Sequence, residues 1–285
     1  RTICAELGAN ITVTEMVSSR ALVYKDKKSA ALLRKNEGSL CGAQIFGNNP
    51  EVMAEGARLA LEISGCDFLD INRGCPMPKI ANSGDGCGLM KEPELAGKIT
   101  EAVAKAVKIP VTVKCRLGWD KGNINVLEFT KRMEDVGAAM VAVHGRTRSQ
   151  LYSGVADWDY IRKVKEQLTV PLIANGDIIG AESAQRCLKW TGADGLMIGR
   201  ATFGDPWVFA QVKAALAGDF DTAAALQIEL QPLVELLFCE VNPIPVKKAL
   251  ELMGYGTKTL RMPLTELSKA NEEKLAKAMR EFGIL

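Results

Sequence analysis

Short apolar runs rich in β-branched residues alternate with longer amphipathic stretches over most of the chain. They recur about every 25 to 40 residues, a spacing typical of βα units around a parallel sheet. Seven strands are predicted, at Ile11–Val17, Cys41–Phe46, Phe68–Asn72, Val111–Cys115, Met140–His144, Pro171–Ala174 and Gly195–Ile198. Helices are predicted at Asp26–Arg34, Pro50–Ser64, Glu92–Val107, Ile124–Val136, Trp158–Gln167 and Ala181–Trp190.

Nearly every predicted strand ends in a cluster of polar residues or glycines. In a (β/α)8 barrel the carboxyl ends of the strands form the catalytic face, so this placement favours a barrel over an open doubly wound sheet. We therefore predict an α/β fold, a TIM (β/α)8 barrel. A barrel needs eight strands and seven are visible. The segment Arg1–Gly8 resembles the end of a helix closed by a glycine cap, so the first strand is predicted to be missing.

The pattern changes after Gly218, where only helices are predicted. They cover Thr222–Cys239, Pro243–Met253 and Leu264–Phe282, with proline-containing segments between them. The predicted organisation is therefore a barrel domain over residues 1–217 and a helical segment over residues 218–285. The tail from residue 219 onward contains 8 basic and 10 acidic residues, so it is mildly acidic.

Composition is that of a globular protein with a sizeable core: 285 residues, 47% hydrophobic and 25% charged. Lys+Arg 36 against Asp+Glu 34 leaves a net charge of +2, which excludes an overall basic coat but permits a local basic patch. No apolar run approaches the roughly 18 to 20 residues of a membrane span, and no signal peptide opens the chain. We expect a cytoplasmic protein.

The eight cysteines form no Cys-x-x-Cys pair, and the chain has one histidine, His144. Scattered thiols are typical of a reducing compartment rather than of a disulfide framework or a zinc site. No metal site is predicted.

Three predicted strand ends carry candidate chemistry. Cys75 follows a strand in a Gly/Pro turn, where its thiol could donate a proton or attack; the alternative is a small buried hydrophobic residue. Lys114 ends an apolar strand and needs an anionic partner, either a cofactor or a salt bridge inside the barrel. His144, two residues before Arg146, is a ligand-binding or a structural group.

The last two strands end in segments suited to an anion. Asn175, Gly176 and Asp177 follow one strand, and Gly199 and Arg200 follow the next. Glycines let backbone N–H groups approach a phosphate, and the corresponding loops bind phosphate in many barrels. The Gln44 amide could recognise the edge of a heterocycle. Together these residues predict a flavin mononucleotide (FMN) site.

The same segments resemble the bacterial tRNA-dihydrouridine synthases, in that family's order and spacing over about residues 1–215. The matching segments are Thr12–Val17, Gln44–Gly47, Asp70–Pro76, Lys114–Gly118, His144–Thr147, Asn175–Asp177 and Gly199–Arg200. The resemblance implies a flavin-bearing TIM barrel that reduces the C5–C6 double bond of uridines in tRNA, with NADPH as reductant.

The resemblance also implies residue roles. Cys75 corresponds to the family's proton donor to C5, while flavin N5 gives a hydride to C6. FMN contacts are implied for Gln44, Lys114, Asn175, Gly176, Asp177, Gly199 and Arg200, with His144 and Arg146 lining the same site. The loop Asn82–Gly88, which lies over the active site in the family, carries Asp85 and Cys87 where small apolar residues are more usual.

The tail resembles a different family, the dihydrodipicolinate synthases, over about residues 218–285. The matching segments are Glu240–Lys247, Leu260–Leu264 and Phe282–Leu285. This implies a chimera without the synthases' usual basic RNA-binding domain, and homo-oligomer contacts through the C-terminal helices. Two alternatives stay open: an inactive scaffold that binds FMN or phosphate without acting on tRNA, and a Schiff-base lyase, whose chemistry needs a lysine on strand six, where His144 stands.

Overall fold

A computed structural model describes residues 1–256 and 259–285. The chain divides into two compact units, Arg1–Gly199 and Arg200–Leu285. The first unit contains the sheet and the second is helical. All eight cysteines carry free thiols.

Eight parallel strands form one curled sheet in the first unit. They are β1 Ile11–Val13, β2 Val17–Ser18, β3 Leu40–Phe46, β4 Phe68–Arg73, β5 Val111–Cys115, β6 Met140–His144, β7 Leu172–Asn175 and β8 Gly195–Met197. Seven pair in the order β1-β3-β4-β5-β6-β7-β8, and β2 pairs with β3. In the described residues β1 and β8 are the ends of this order, so the sheet is a half-barrel. The predicted α/β, TIM-barrel-like fold is confirmed.

The predicted strand Ile11–Val17 is two short strands in the structure. Val13 pairs with Gly42, whereas Val17 pairs with Ile45. The register therefore shifts by one residue, and the bulge that results separates β1 from β2.

Helices cover the sheet between successive strands. They are α1 Thr2–Glu6, α2 Ser19–Val23, α3 Lys27–Leu32, α4 Pro50–Ser64, α5 Pro78–Ala81, α6 Pro93–Ala106, α7 Val126–Asp135, α8 Trp158–Gln167 and α9 Ala181–Thr191, with a 3₁₀ helix at Gly86–Lys91. In α4, local residues mark where the helix begins and ends. Asn49 caps its first turn by accepting from the Val52 N–H, and Gly65 ends it at φ +58°.

Strand alternation puts the polar residues of β3 to β7 on one face of the sheet. Successive side chains on a strand point to opposite faces. On β4, Leu69 and Ile71 therefore face away from Asp70 and Asn72, and both apolar side chains are fully buried. By the same alternation, polar side chains from the neighbouring strands lie on the same face as Asp70 and Asn72. These residues are Gln44, Thr112, Lys114, His144 and Asn175.

The lower part of this polar face is closed by an aromatic ring. A Cβ atom at Gly42 would overlap the ring of Phe68, the residue that pairs with it on β4. The absence of a side chain at position 42 therefore provides the space for Phe68.

The second unit contains α10 Val208–Leu216, α11 Phe220–Leu237, α12 Ile244–Leu252, α13 Lys269–Glu281 and a 3₁₀ helix at Arg200–Thr202. Its core includes Leu233, Ile244 and Leu275. The predicted helix Leu264–Phe282 starts five residues later than expected. Glu240 accepts from the N–H and hydroxyl of Ser268 and fixes the start of α13 there. None of the helices in the described ranges is both long and apolar enough to cross a bilayer.

Candidate active site

A buried carboxylate joins three strands near the carboxyl end of the sheet. Gln44 Nε2 donates to Asp70 Oδ2 and Thr112 Oγ donates to Asp70 Oδ1, both at 2.6 Å. Burial raises the pKa of Asp70, while the two hydrogen bonds and the charge of Lys114 act in the opposite direction. The network fixes the orientation of the Gln44 amide.

Asn72 connects this network to the loop that carries Cys75. Its Nδ2 donates to Gln44 Oε1 at 2.7 Å. Its Oδ1 accepts from the backbone N–H groups of Gly74, at 3.0 Å, and Cys75, at 2.8 Å. The Asn72 side chain thereby determines the direction in which the chain leaves β4.

The opposite wall around Cys75 is the 3₁₀ helix that starts at Gly86. The Cys87 N–H donates to the Cys75 carbonyl at 3.2 Å, and a Cβ atom at Gly86 would lie 3.0 Å from Cys75 Cβ. Burial raises the pKa of Cys87 to about 12, so its thiol stays protonated at neutral pH. Cys87 is a packing residue here, and the peptide of Cys75 is held from both sides.

Arg116 is a residue of this site that the sequence reasoning missed. It is buried on β5's polar side, two residues beyond Lys114, and its Nε donates to the Gly74 carbonyl at 2.9 Å. Its Nη1 donates to the carbonyls of Thr147, at 3.0 Å, and Leu151, at 2.8 Å. It therefore joins the loop after β4 to the loop after β6. Its two-residue offset from Lys114 was the signal available in the sequence.

Lys114 is a half-buried cation on the polar face. Burial, together with the nearby charge of Arg116, lowers its pKa. Among the residues that the structure describes, its ammonium forms no hydrogen bond and no ion pair. A cation partly removed from water is costly when it lacks a hydrogen bond or an ion pair, so this position suits an anionic ligand.

His144 is held neutral by its surroundings. It is buried, and burial together with Arg116, Lys114 and Arg146 lowers its pKa to about 2. A neutral imidazole offers one donor and one acceptor. The ring of Tyr152 lies above it, with the two ring centroids 6.4 Å apart.

Arg146 and Asp177 are engaged with each other. Arg146 also donates to the carbonyls of Ser153 and Gly154, and Asp177 accepts from the Ala156 N–H at 2.7 Å. The pair therefore connects the loops after β6 and β7, and its charges are satisfied within the protein.

The remaining predicted phosphate residues lie at the ends of β7 and β8. Asn175 Nδ2 donates to the Met197 carbonyl at 2.8 Å. A Cβ atom at Gly176, where φ is +112°, would lie 2.8 Å from His144 Cδ2, whereas a Cβ at Gly199 would meet no atom within 4 Å. Gly199 ends the first unit, and Arg200 begins the second.

The arrangement fits an anionic cofactor with a polar ring. The sheet brings Gln44, Lys114, His144 and Asn175 to one face, and the ammonium of Lys114 provides the charge that such a group would need. No cluster of three or more potential metal ligands occurs in residues 1–256 and 259–285.

Comparison with known proteins defines the class. The dihydrouridine synthase family model matches residues 1–238. A probable tRNA-dihydrouridine synthase of Rickettsia conorii is 42% identical over 239 residues, 82% of this chain and 72% of the relative. A tRNA-dihydrouridine synthase B of Pasteurella multocida is 42% identical over 220 residues, 77% of this chain and 66% of the relative. The chain belongs to the dihydrouridine synthase family and spans about two thirds to three quarters of these relatives.

Solved structures support the barrel fold. A dihydrodipicolinate synthase of Bacillus anthracis superposes with a TM-score of 0.57 at 16% identity, over 97% of this chain and 88% of that one. The enzyme of Aquifex aeolicus gives 0.53 at 19% identity, over 99% and 89%. At such low identity the likeness concerns the fold alone.

The resemblance of the tail to dihydrodipicolinate synthases is seen structurally, but over nearly the whole chain. The dihydrouridine synthase match, in turn, continues to residue 238, at the end of α11. A chimeric origin and self-association through the tail helices stay predictions.

Proposed function

We propose that the protein is a flavin-dependent tRNA-dihydrouridine synthase, which reduces the C5–C6 double bond of a uridine in tRNA with NADPH. The observation that carries this proposal is the continuous polar face from Gln44 through Asn72 to the Cys75 loop, beside the ammonium of Lys114, which has no hydrogen bond or ion pair among the described residues. Family membership and relatives named for this activity support it.

FMN, when bound, would supply the hydride that is added at uridine C6. We propose that Gln44, Lys114, His144 and Asn175 contact it directly and that Lys114 balances negative charge on it. Gly176 would hold its phosphate through its backbone N–H group, and Gly199 and Arg200 stay predicted contacts. Arg146 and Asp177 would act indirectly, by fixing the two loops beside it.

Cys75 is the proposed proton donor. Its thiol gives a proton to uridine C5, and solvent then returns a proton to the sulfur. NADPH and one proton are consumed, so the double bond gains two hydrogens and NADP⁺ is released. Asn72 orients the Cys75 peptide, and the neutral His144 provides hydrogen bonds without adding a second acid.

The test has two readouts. Purified protein should show flavin absorbance that NADPH bleaches, and it should convert uridine to dihydrouridine in tRNA isolated from cells lacking synthases, as detected by mass spectrometry of nucleosides. Cys75→Ala should keep the flavin signal and lose the product. Cys239→Ala, which removes an exposed thiol, is the matched control.

Two results would contradict the proposal. A preparation that binds no added flavin would exclude the cofactor assignment, and full product formation by Cys75→Ala would exclude the proton donor. Intact flavin binding without any tRNA product would favour the scaffold alternative. A mass increase on one lysine after treatment with pyruvate and borohydride would favour the lyase.

A further inference from the structure

Three loops at the carboxyl end of the sheet meet at Trp119. Lys91 Nζ lies 4.0 Å from the centroid of its indole ring, and the Arg148 guanidinium carbon lies 4.6 Å from it. Lys91 ends the 3₁₀ helix after β4, Trp119 follows β5 and Arg148 follows β6. We call these three residues the Trp119 cluster.

The cluster is held in place by the backbone. The Arg148 N–H donates to the Gly118 carbonyl and the Ser149 N–H donates to the Trp119 carbonyl, both at 2.9 Å. Arg148 Nη2 also donates to Asn82 Oδ1 at 3.3 Å. This hydrogen bond connects the cluster to the loop Asn82–Gly88. The backbone and the ring of Trp119 therefore fix the positions of the two cations before any ligand binds.

Neither cation of the cluster has a carboxylate partner in the described ranges. Lys91 and Arg148 form no ion pair there. The adjacent carboxylate of Asp120 accepts from Gly122 N–H and Asn123 Nδ2, so it is used within its own turn. The buried Nε of Arg148 also has no hydrogen-bond partner.

Two other tryptophans of the same unit also carry a cation over the ring, and they serve as a comparison. Arg162 lies over Trp190 and Arg186 over Trp158, at 5.3 Å and 5.6 Å. Arg162 is 3.9 Å from Asp159, and Arg186 is 3.7 Å from Glu182. Each of these rings meets one cation with a carboxylate beside it. The ring of Trp119 meets two cations without one, and it does so at the functional end of the sheet.

We propose that the Trp119 cluster binds the phosphate backbone of the tRNA substrate. The inference rests on the proposed function, because it assigns an RNA-contacting surface to that active site. Paired cations without carboxylate partners suit consecutive phosphates, and the indole ring stabilises both cations in their binding positions. The mildly acidic tail offers no comparable concentration of charge, so the rim of the sheet provides the contact.

The test measures tRNA affinity and its salt dependence. Lys91→Met and Arg148→Met each remove one charge and keep a long side chain against the ring. Each should weaken tRNA binding about fivefold to tenfold at low salt and lower the slope of log affinity against log salt by about 0.7 to 0.9. Lys91→Arg should keep both the affinity and the slope.

Arg162→Met is the matched control, since it removes a cation from Trp190 on the outer helices. It should bind tRNA as the unsubstituted protein does. In all four variants the rate at which NADPH bleaches the flavin without tRNA should stay within about twofold. The substitutions in the cluster should raise KM for tRNA and leave kcat unchanged.

The two proposals fail in different ways. If the unsubstituted protein forms dihydrouridine while Lys91→Met and Arg148→Met bind tRNA normally, the assignment of the cluster is wrong and the proposed function stands. An equal loss in Arg162→Met would also overturn the assignment, because it would indicate a general charge effect. Absence of both tRNA binding and product at 50 mM salt would overturn both proposals. Since Lys91 is exposed, its variant tests the surface even if Arg148→Met folds poorly.

Discussion

The guanidinium of Arg146 donates two parallel hydrogen bonds to the carboxylate of Asp177, from Nη1 to Oδ1 and from Nη2 to Oδ2, each 2.8 Å long. The arginine is 2% exposed and the aspartate 27%. A guanidinium buried this deeply depends on its carboxylate, because removal of one partner leaves an uncompensated charge.

We therefore expect Asp177→Asn to lower the free energy of unfolding by about 3 kcal/mol. Asparagine also adopts the positive φ of +57° found at this position, so the loss would report the charge rather than the backbone. Urea denaturation gives the measurement. Arg58→Gln, which breaks the exposed ion pair with Glu55, should barely change the midpoint, and equal effects of the two substitutions would contradict the prediction.

The single histidine allows a direct test of its charge state. Since burial and three cations lower the His144 pKa to about 2, its imidazole NMR signals should not move between pH 8 and pH 4.5 in the folded protein. In the unfolded chain the same group takes up a proton near pH 6.5. A titration midpoint between pH 5.5 and 7 in the native state would contradict the assignment.

The same pKa shift affects stability in acid. Below about pH 6.5 the unfolded state binds a proton at His144 that the folded state does not, so stability falls as the pH falls. Between pH 6.5 and 4.5 His144 alone should lower the free energy of unfolding by about 2 to 3 kcal/mol. His144→Asn should remove that part of the pH dependence, measured by urea unfolding at each pH, and an unchanged slope would argue against it.

Lys114→Met separates stability from ligand binding. Burial lowers the Lys114 pKa, so the protonated amine costs free energy in the folded state, and that cost declines as the pH rises through the folded-state pKa. The flavin-free variant should therefore be more stable than the unsubstituted protein by about 1 to 2 kcal/mol at pH 7, with a smaller difference at alkaline pH.

The same substitution should weaken FMN binding at least about tenfold, because a charge-assisted contact is lost. Fluorescence titration with FMN measures this. Lys98→Met on α6, an exposed lysine of the outer layer, is the control. A variant that loses both stability and flavin affinity would indicate that Lys114 has a structural partner instead.

Asn72 distinguishes orientation of the thiol from its chemistry. Asn72→Ala removes the acceptor for the Gly74 and Cys75 N–H groups, and a misplaced reacting group costs about 100-fold in rate. Asn72→Asp keeps an acceptor oxygen and should retain several times more activity than Asn72→Ala. Single-turnover formation of dihydrouridine is the measurement, and equal rates in the two variants would show that this acceptor is not needed.

The sequence was sufficient for the sheet and for most of the polar face. Predicted helices at Pro50–Ser64 and Trp158–Gln167 match the structure at both ends. Asn49 and Gly65 mark the two boundaries of the first helix, and Asp157 caps the start of the second. The same alternation of apolar and polar residues placed Lys114 and His144 at strand ends. The start of α13 was missed although Ser268 is a residue type preferred at the N-cap, and in the structure its hydroxyl donates to Glu240 instead of capping the helix.

Side-chain partners were harder to predict. The ion pair of Arg146 with Asp177 was not predicted, although their contact with a cofactor stays a prediction. His144 and Asn175 pair in register, so the residues two positions further along each chain segment adjoin as well. That equal offset could have revealed the ion pair. The roles of Asn72 and Arg116 could not be read in the same way, because both act on backbone groups of loops whose path the sequence does not specify.

The contact of Gly42 with Phe68 means that these two positions share a fixed volume at the base of the sheet. A larger side chain at one of these positions requires a smaller one at the other, so a substitution at one position restricts the substitutions tolerated at the other. Among relatives, a methyl-bearing residue at the first position should accompany a smaller aliphatic side chain at the second, a covariation that has its origin in steric exclusion rather than in the chemistry above it.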